Sequence, residues 1–166
     1  LCIASLGEGM RLHAVRGRSE LCSVIERKLD TMATGLAAQS SSLLGPIVEL
    51  QMGLARAYAV VARNDWKEAL ARLNALAPAA ERLRRGRDGI QIDLLRAVAK
   101  DRSGDDATDQ LNEALSMARM WGLDRILADT HPDLDGLVRR AQTNVAAAAG
   151  SPARVAEAPQ TAARSA

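Results

Sequence analysis

Apolar side chains recur at helical spacing along most of the chain. Leu21, Ile25, Leu29, Met32, Leu36 and Leu43 follow at steps of three, four and seven, which traces one face of a long helix running to Leu44. Ser19 is placed to cap it, and Leu1, Ala4, Met10 and Val15 lie on one face of a shorter helix before it that stops near Gly17. Gly45-Pro46 breaks the pattern. Pro46 suits the first turn of a third helix, where its missing N–H costs nothing, and Leu50, Leu54, Ala57, Tyr58 and Val61 mark that helix's buried side.

Asn64-Asp65 is a turn signal so short that the next helix must pack antiparallel to the last. That fourth helix carries Trp66, Ala69, Leu70, Leu73, Leu76, Ala77 and Ala80. Gly86 and Gly89 bracket the following break, and Ile92, Leu95, Val98 and Ala99 stripe a fifth helix. Ser103-Gly104-Asp105 turns the chain into a sixth, with Ala107, Leu111, Ala114, Leu115 and Ala118 inside and Gly122 as its stop. After Pro132, Leu134, Leu137, Val138 and Ala141 predict a short seventh helix. From Ala146 to Ala166 the chain is mostly Ala with Pro152 and Pro159, too little apolar area to offset its ordering entropy, so residues 1–145 are expected to be the domain and 146–166 a linker or tail. Because the chain opens on Leu1 rather than Met and closes on this segment, it is expected to be a piece of a longer protein.

Composition narrows the class to all-α. Among 166 residues, 2% are aromatic (Tyr58, Trp66 and Trp121, with no Phe), which starves a large sheet core while Ala and Leu supply helix packing. Twenty-two basic and 20 acidic side chains leave a formal charge of +2, which argues against binding dominated by a phosphate backbone. No direct nucleic-acid contact is expected. Cys2 and Cys22 lack CxxC or CxxH spacing and are expected to be buried reduced thiols in a cytoplasmic protein. No apolar run approaches the roughly 18 residues of a transmembrane helix, so no membrane role is expected.

Shifting the chain by 38 residues lays Ala69 on Ala107, Leu73 on Leu111, Leu76 on Ala114, Ala77 on Leu115 and Ala80 on Ala118, with Ala57 on Leu95 and Val61 on Ala99 before them. Two Ala/Leu-rich helices can align by chance. A helix–turn–helix unit repeated at one period is also the mark of an α-solenoid. The first unit, with Asp65-Trp66 at its turn and Ala69, Leu73 and Leu76 after it, resembles a tetratricopeptide repeat. The period exceeds the usual ~34, no repeat ends in the expected proline, and the second turn is displaced by about two residues. These longer, degenerate units resemble the helical sensor region of MalT-like, LuxR-type bacterial transcription regulators. Over residues 46–140 the closest likeness is Ala107 to Val138, with Gly122-Leu-Asp-Arg125-Ile, Asp129, Pro132, Leu134 and Leu137-Val138.

The resemblance implies an effector- or protein-binding repeat domain that controls a helix-turn-helix after it, with an ATP-binding domain before it and possible self-association. Neither a GxxxxGK[ST] loop nor a recognition-helix segment stands in this chain. Carrying over the groove-facing positions of tetratricopeptide repeats points to Gln51, Tyr58 and Arg96 as contacts for an effector or partner in the concave groove. For Tyr58 the other reading is ordinary packing on the Leu50/Leu54/Val61 face. The rival function is a general tetratricopeptide scaffold gripping a peptide or protein.

Other chemistry is sparse. Asp129-Thr-His131-Pro-Asp133 has metal-like residue types, but a helix start accounts for Pro132 and Asp133, and His13 stands alone near a helix end. No metal site is expected. Arg82, Arg84, Arg85 and Arg87 read as a solvated helix C-terminus with no interleaved aromatic. Without a nucleophile beside a base, paired carboxylates in an apolar setting or a phosphate loop, neither catalysis nor a cofactor is expected in this segment.

Overall fold

The computed structural model describes residues 2–37 and 44–149, with side chains placed for 3–35 and 44–144. Among them all regular structure is helical, in the order α1 (Cys2–Ala14), α2 (Ser19–Ala37), α3 (Gly45–Ala62), α4 (Trp66–Arg82), α5 (Gly86–Ser103), α6 (Thr108–Met120), α7 (Ile126–Thr130) and α8 (Asp133–Ala149). The all-α expectation therefore holds, and successive helices pack as pairs.

The turns share one construction. Gly17, Asn64, Arg84, Gly104 and Gly122 each take a left-handed backbone just past a helix end. In each, that residue's amide bonds three residues back and the next amide five back, which satisfies carbonyls the helix would leave open. At the end of α3, for example, Asn64 N–H reaches Val61 O at 2.9 Å and Asp65 N–H reaches Val60 O at 3.4 Å. The Asp65 side chain then accepts from Glu68 N–H at 3.2 Å, capping α4.

The 38-residue shift reappears in these bonds. Arg84 to Glu81 and Arg85 to Ala80 recur as Gly122 to Arg119 and Leu123 to Ala118. The Asn64 turn recurs at Gly104, two residues later than the shift, and α6 begins four residues later than the shift, at Thr108, so it has 13 residues where α4 has 17. At the matching positions, Ala57 and Leu95, Val61 and Ala99, Ala69 and Ala107, Leu73 and Leu111, and Ala80 and Ala118 are all buried.

Five local expectations need correction. The break before α5 is made by Arg84, and Gly86 and Gly89 both lie within α5. Gly86 is a close-packing position, where a Cβ would stand 2.7 Å from the Trp121 ring, whereas one at Gly89 would make only ordinary contact with Ala80 at 4.0 Å. Leu21 is 43% exposed, because α2 instead turns Cys22 and Leu29 inward against Met10 and Ala14 of α1. Ala4 too is exposed. A short α7 precedes the helix expected after Pro132, and α8 continues past Ala146 to Ala149. Leu1 and Leu43, and the segment from 150 to 166, lie outside the described residues.

Two apolar clusters meet at α5. Ile92 and Leu95 pack with α1–α4, while Ile90, Leu94, Ala97 and Val98 pack with α6–α8. Helices α3 and α5 are thus buried on several sides, and α4 and α6 expose one face. Cys22 is a buried free thiol, in line with the expectation for it. No helix among the described residues is long and apolar enough to cross a membrane.

Candidate ligand-binding cleft

Gln51 of α3 reaches Asp88 of α5, its Nε2 donating to Asp88 Oδ2 at 2.9 Å. Arg85, just before α5, donates from Nε to the same oxygen at 2.7 Å. Asp88 is buried, so both bonds hold a carboxylate that would otherwise be costly to remove from water.

Two helical turns further along α3, Tyr58 is buried at 1% exposure. Its hydroxyl accepts from Gln91 Nε2 at 2.7 Å and donates to Thr130 O at 3.2 Å, which ties α3 to α5 and α7. Burial raises the phenol well above its ordinary range, the Gln91 bond opposing that rise, so the hydroxyl stays neutral.

Helix α1 crosses the same region. Arg11 donates from Nε to both Glu8 carboxylate oxygens at 3.1 Å and from Nη1 to the Asp129 carbonyl of α7. Hydrogen bonding to Arg11 lowers the Glu8 carboxyl from its ordinary value, and the bond to Glu8 raises Arg11 from its own. Together these elements enclose a half-open cleft of about 640 Å³, within the range of small-molecule sites. Ile3, Met32, Ile47, Val48 and Ile126 give it an apolar wall beside the charged groups.

The three residues expected to line a concave groove fall in different places. Gln51 lines the cleft. Tyr58 does not present itself to a ligand, because its ring is enclosed and both hydrogen-bonding capacities of its hydroxyl are used inside the protein. Arg96 lies in a separate, more open groove between α4 and α6, held by Asn74 Oδ1 at 2.7 Å and Asp93 Oδ1 at 2.8 Å. The arginine run also divides: Arg82 closes α4, Arg84 forms the turn, Arg85 holds Asp88, and Arg87 enters the cleft from the first turn of α5. The reading as a solvated helix end fits Arg82 and Arg84, both exposed at the close of α4, but not Arg85 and Arg87.

Sequence reasoning missed Glu8, Arg11, Asp88, Gln91 and Thr130. The signal that could have found part of it is the spacing of Arg87 and Gln91, four residues apart on one face of α5.

Directly after Thr130, His131 is buried and meets Trp66 edge-on at 6.1 Å, while the Arg102 guanidinium lies 5.9 Å from the Trp66 ring centre. Arg102 Nε donates to Asp133 Oδ2 at 2.8 Å, and Asp133 N–H donates to His131 Nδ1 at 3.2 Å. Asp133 does stand in the first turn of α8, as a helix start requires. Among the described residues no group of His, Cys, Asp and Glu is arranged to hold a metal.

Fold and cleft together define an all-α protein of packed helix pairs with one amphipathic cleft walled by α1, α3, α5 and α7. No family model, no curated protein and no solved structure matches this chain.

Proposed function

We propose that this chain is the repeat-built regulatory domain of a cytoplasmic MalT-like, LuxR-type transcription regulator, its helix pairs stacked as a tetratricopeptide-like solenoid. An effector or partner occupies the cleft, and its presence is passed to DNA-binding and nucleotide-binding parts outside this chain. The domain itself performs no catalysis and needs no cofactor.

The observation that carries this reading is where the cleft lies. Its walls come from α3, which belongs to one apolar cluster, from α5, which belongs to both, and from Ile126, which belongs to the other. A ligand bridging these walls favours one spacing of the two clusters over another, and differential affinity of that kind is what shifts a conformational equilibrium. The recurrence of turn bonds at 38 residues supports the repeat reading.

The test is to sequence the parent reading frame on both sides. A helix-turn-helix segment after Ala166 and a phosphate-binding loop well upstream are expected. A frame with neither, holding only further helical pairs, overturns the regulator reading and leaves a scaffold protein.

A further inference from the structure

The first two amides of α8 both end on one residue. Asp133 N–H donates to His131 Nδ1 at 3.2 Å, and Leu134 N–H donates to the His131 carbonyl at 3.2 Å. A helix leaves its first amides without partners inside itself, so His131 caps α8, its ring nitrogen standing where an asparagine or aspartate oxygen stands in other caps. An amide can only donate. Nδ1 therefore carries a lone pair, and the neutral imidazole holds its proton on Nε2.

His131 also closes α7. Its own N–H returns to Leu127 O at 3.3 Å, and the two carbonyls before it are taken by side chains of other helices, Asp129 O by Arg11 of α1 and Thr130 O by Tyr58 of α3 at 3.2 Å. Helix α7 has five residues, too few to stand without such anchors. One buried residue thus holds the start of α8 and the end of the short helix that walls the cleft with Ile126, Asp129 and Thr130.

A proton from solvent on Nδ1 turns this acceptor into a donor facing the Asp133 amide. The cap bond is lost, and a cation is left at the positive end of a 17-residue helix. Around the ring, α4 presents the uncharged Trp66, α5 presents Arg102 and α8 presents Asp133, while Arg11 of α1 and the Tyr58 hydroxyl of α3 reach the backbone just before it. Asp133 Oδ2 stands 3.7 Å from Nδ1 but already accepts from Arg102 Nε at 2.8 Å. To pair with the imidazolium it must turn away from Arg102, which unties α8 from α5. The Thr130 carbonyl belongs to the peptide bond that joins it to His131, so a turn of His131 also carries that carbonyl off the Tyr58 hydroxyl.

The geometry points to an acid-operated release of the α7–α8 joint: protonation of His131 uncaps α8, frees the end of α7 and opens that wall of the cleft. As a means of controlling an effector it rests on the reading of the cleft given above. Burial of the ring disfavours its charged form, so the release belongs to mildly acid rather than neutral conditions.

Hydrogen exchange of the 166-residue chain at about pH 7.5 and about pH 5, corrected for the intrinsic exchange rate at each pH, tests the release. Protection over residues 126–134 should fall by about tenfold more than protection over α3, the scale of a lost cap together with a misplaced cation. His131→Asn puts an amide oxygen in the place of Nδ1 and cannot titrate, so its protection over 126–134 should change no more than that over α3. An equal fall in both regions of the native chain, no fall, or a fall that persists in the variant overturns the proposal.

Nitrogen NMR of the native chain checks the same point without relying on the variant to fold, with the other imidazole assigned through His13→Gln. At about pH 7.5 the His131 Nδ1 resonance should be that of an unprotonated nitrogen. A proton found on Nδ1 removes the cap and overturns the proposal. Neither measurement involves effector, DNA or nucleotide, so failure here leaves the regulator reading standing. A parent frame without a helix-turn-helix leaves the acid release standing in turn.

Discussion

Tyr58 Oη lies 2.7 Å from Gln91 Nε2, inside the protein, and the same hydroxyl donates to the carbonyl of Thr130. One side chain thus joins three helices that are distant in sequence, beneath the cleft and out of reach of anything bound in it.

Replacing Tyr58 with Phe keeps the ring and removes that joint. Gln91 Nε2 loses its acceptor and Thr130 O its donor in a region water enters poorly, so unfolding free energy should fall by about 1–3 kcal/mol. Urea denaturation followed by circular dichroism measures it. An unchanged midpoint would show that the two groups find other partners, and the Tyr58 hydroxyl would then not hold the helices together.

His131 makes stability depend on pH. Burial, the largest effect, holds its imidazole below the ordinary value of 6.5, Asp133 opposes the shift and Arg102 reinforces it. Above pH 6.5 neither the folded nor the unfolded chain carries this proton. As pH falls below 6.5 the unfolded chain takes it up first, so stability should decline toward the lowered folded value, by at most about 1.4 kcal/mol per pH unit. Glu8 is lowered too, by its bond to Arg11, so it acts in the same direction but only lower down, its contribution being lost as pH falls below 4.5. Thermal melts from pH 7.5 to about 5 should show the decline, and His131→Gln should flatten it; an equal slope in the variant would place the titrating group elsewhere.

Arg84 carries a left-handed backbone, φ 52°, at a position where three of the five equivalent turns have glycine. For a residue with a Cβ that conformation costs about 1 kcal/mol, and Asn64 tolerates it better than Arg does. Arg84→Gly should therefore raise unfolding free energy by about 0.5–1 kcal/mol. A loss of stability would mean that the Arg84 side chain contributes more than its backbone costs.

Asp88 is the buried acceptor for both Gln51 and Arg85. Asp88→Ala should cost about 1–3 kcal/mol by leaving the Gln51 amide without its acceptor. Adding Gln51→Leu should recover part of that loss, because the stranded donor is then gone. Chemical denaturation of the single and double variants reads the coupling, and strictly additive losses would deny the contact any role.

Helix content and most of the buried faces were legible in the sequence, because local periodicity decides them. Leu50, Leu54, Ala57, Val61, Leu73, Leu95 and Leu111 all stand where a 3.6-residue period puts them. Glycine and asparagine marked the turns at Gly17, Asn64, Gly104 and Gly122, since a left-handed residue there needs a small or accommodating side chain. Arg84 escaped notice because nothing in its chemistry advertises that backbone. Leu21 and Cys22 exchanged roles for a related reason: two adjacent apolar residues point 100° apart on a helix, and only the position of α1 settles which one is covered.

Local order along the chain determined the helices, their ends and their apolar stripes, through interactions between residues three or four apart. The cleft was decided by tertiary structure alone. Glu8, Arg11, Asp88, Gln91 and Asp129 come from α1, α5 and α7, and no spacing in the sequence relates residues whose meeting depends on how whole helices cross. Tyr58 shows the same division, since periodicity placed it on the inner face of α3 while packing against α5 and α7 made it a joint rather than a contact for ligand.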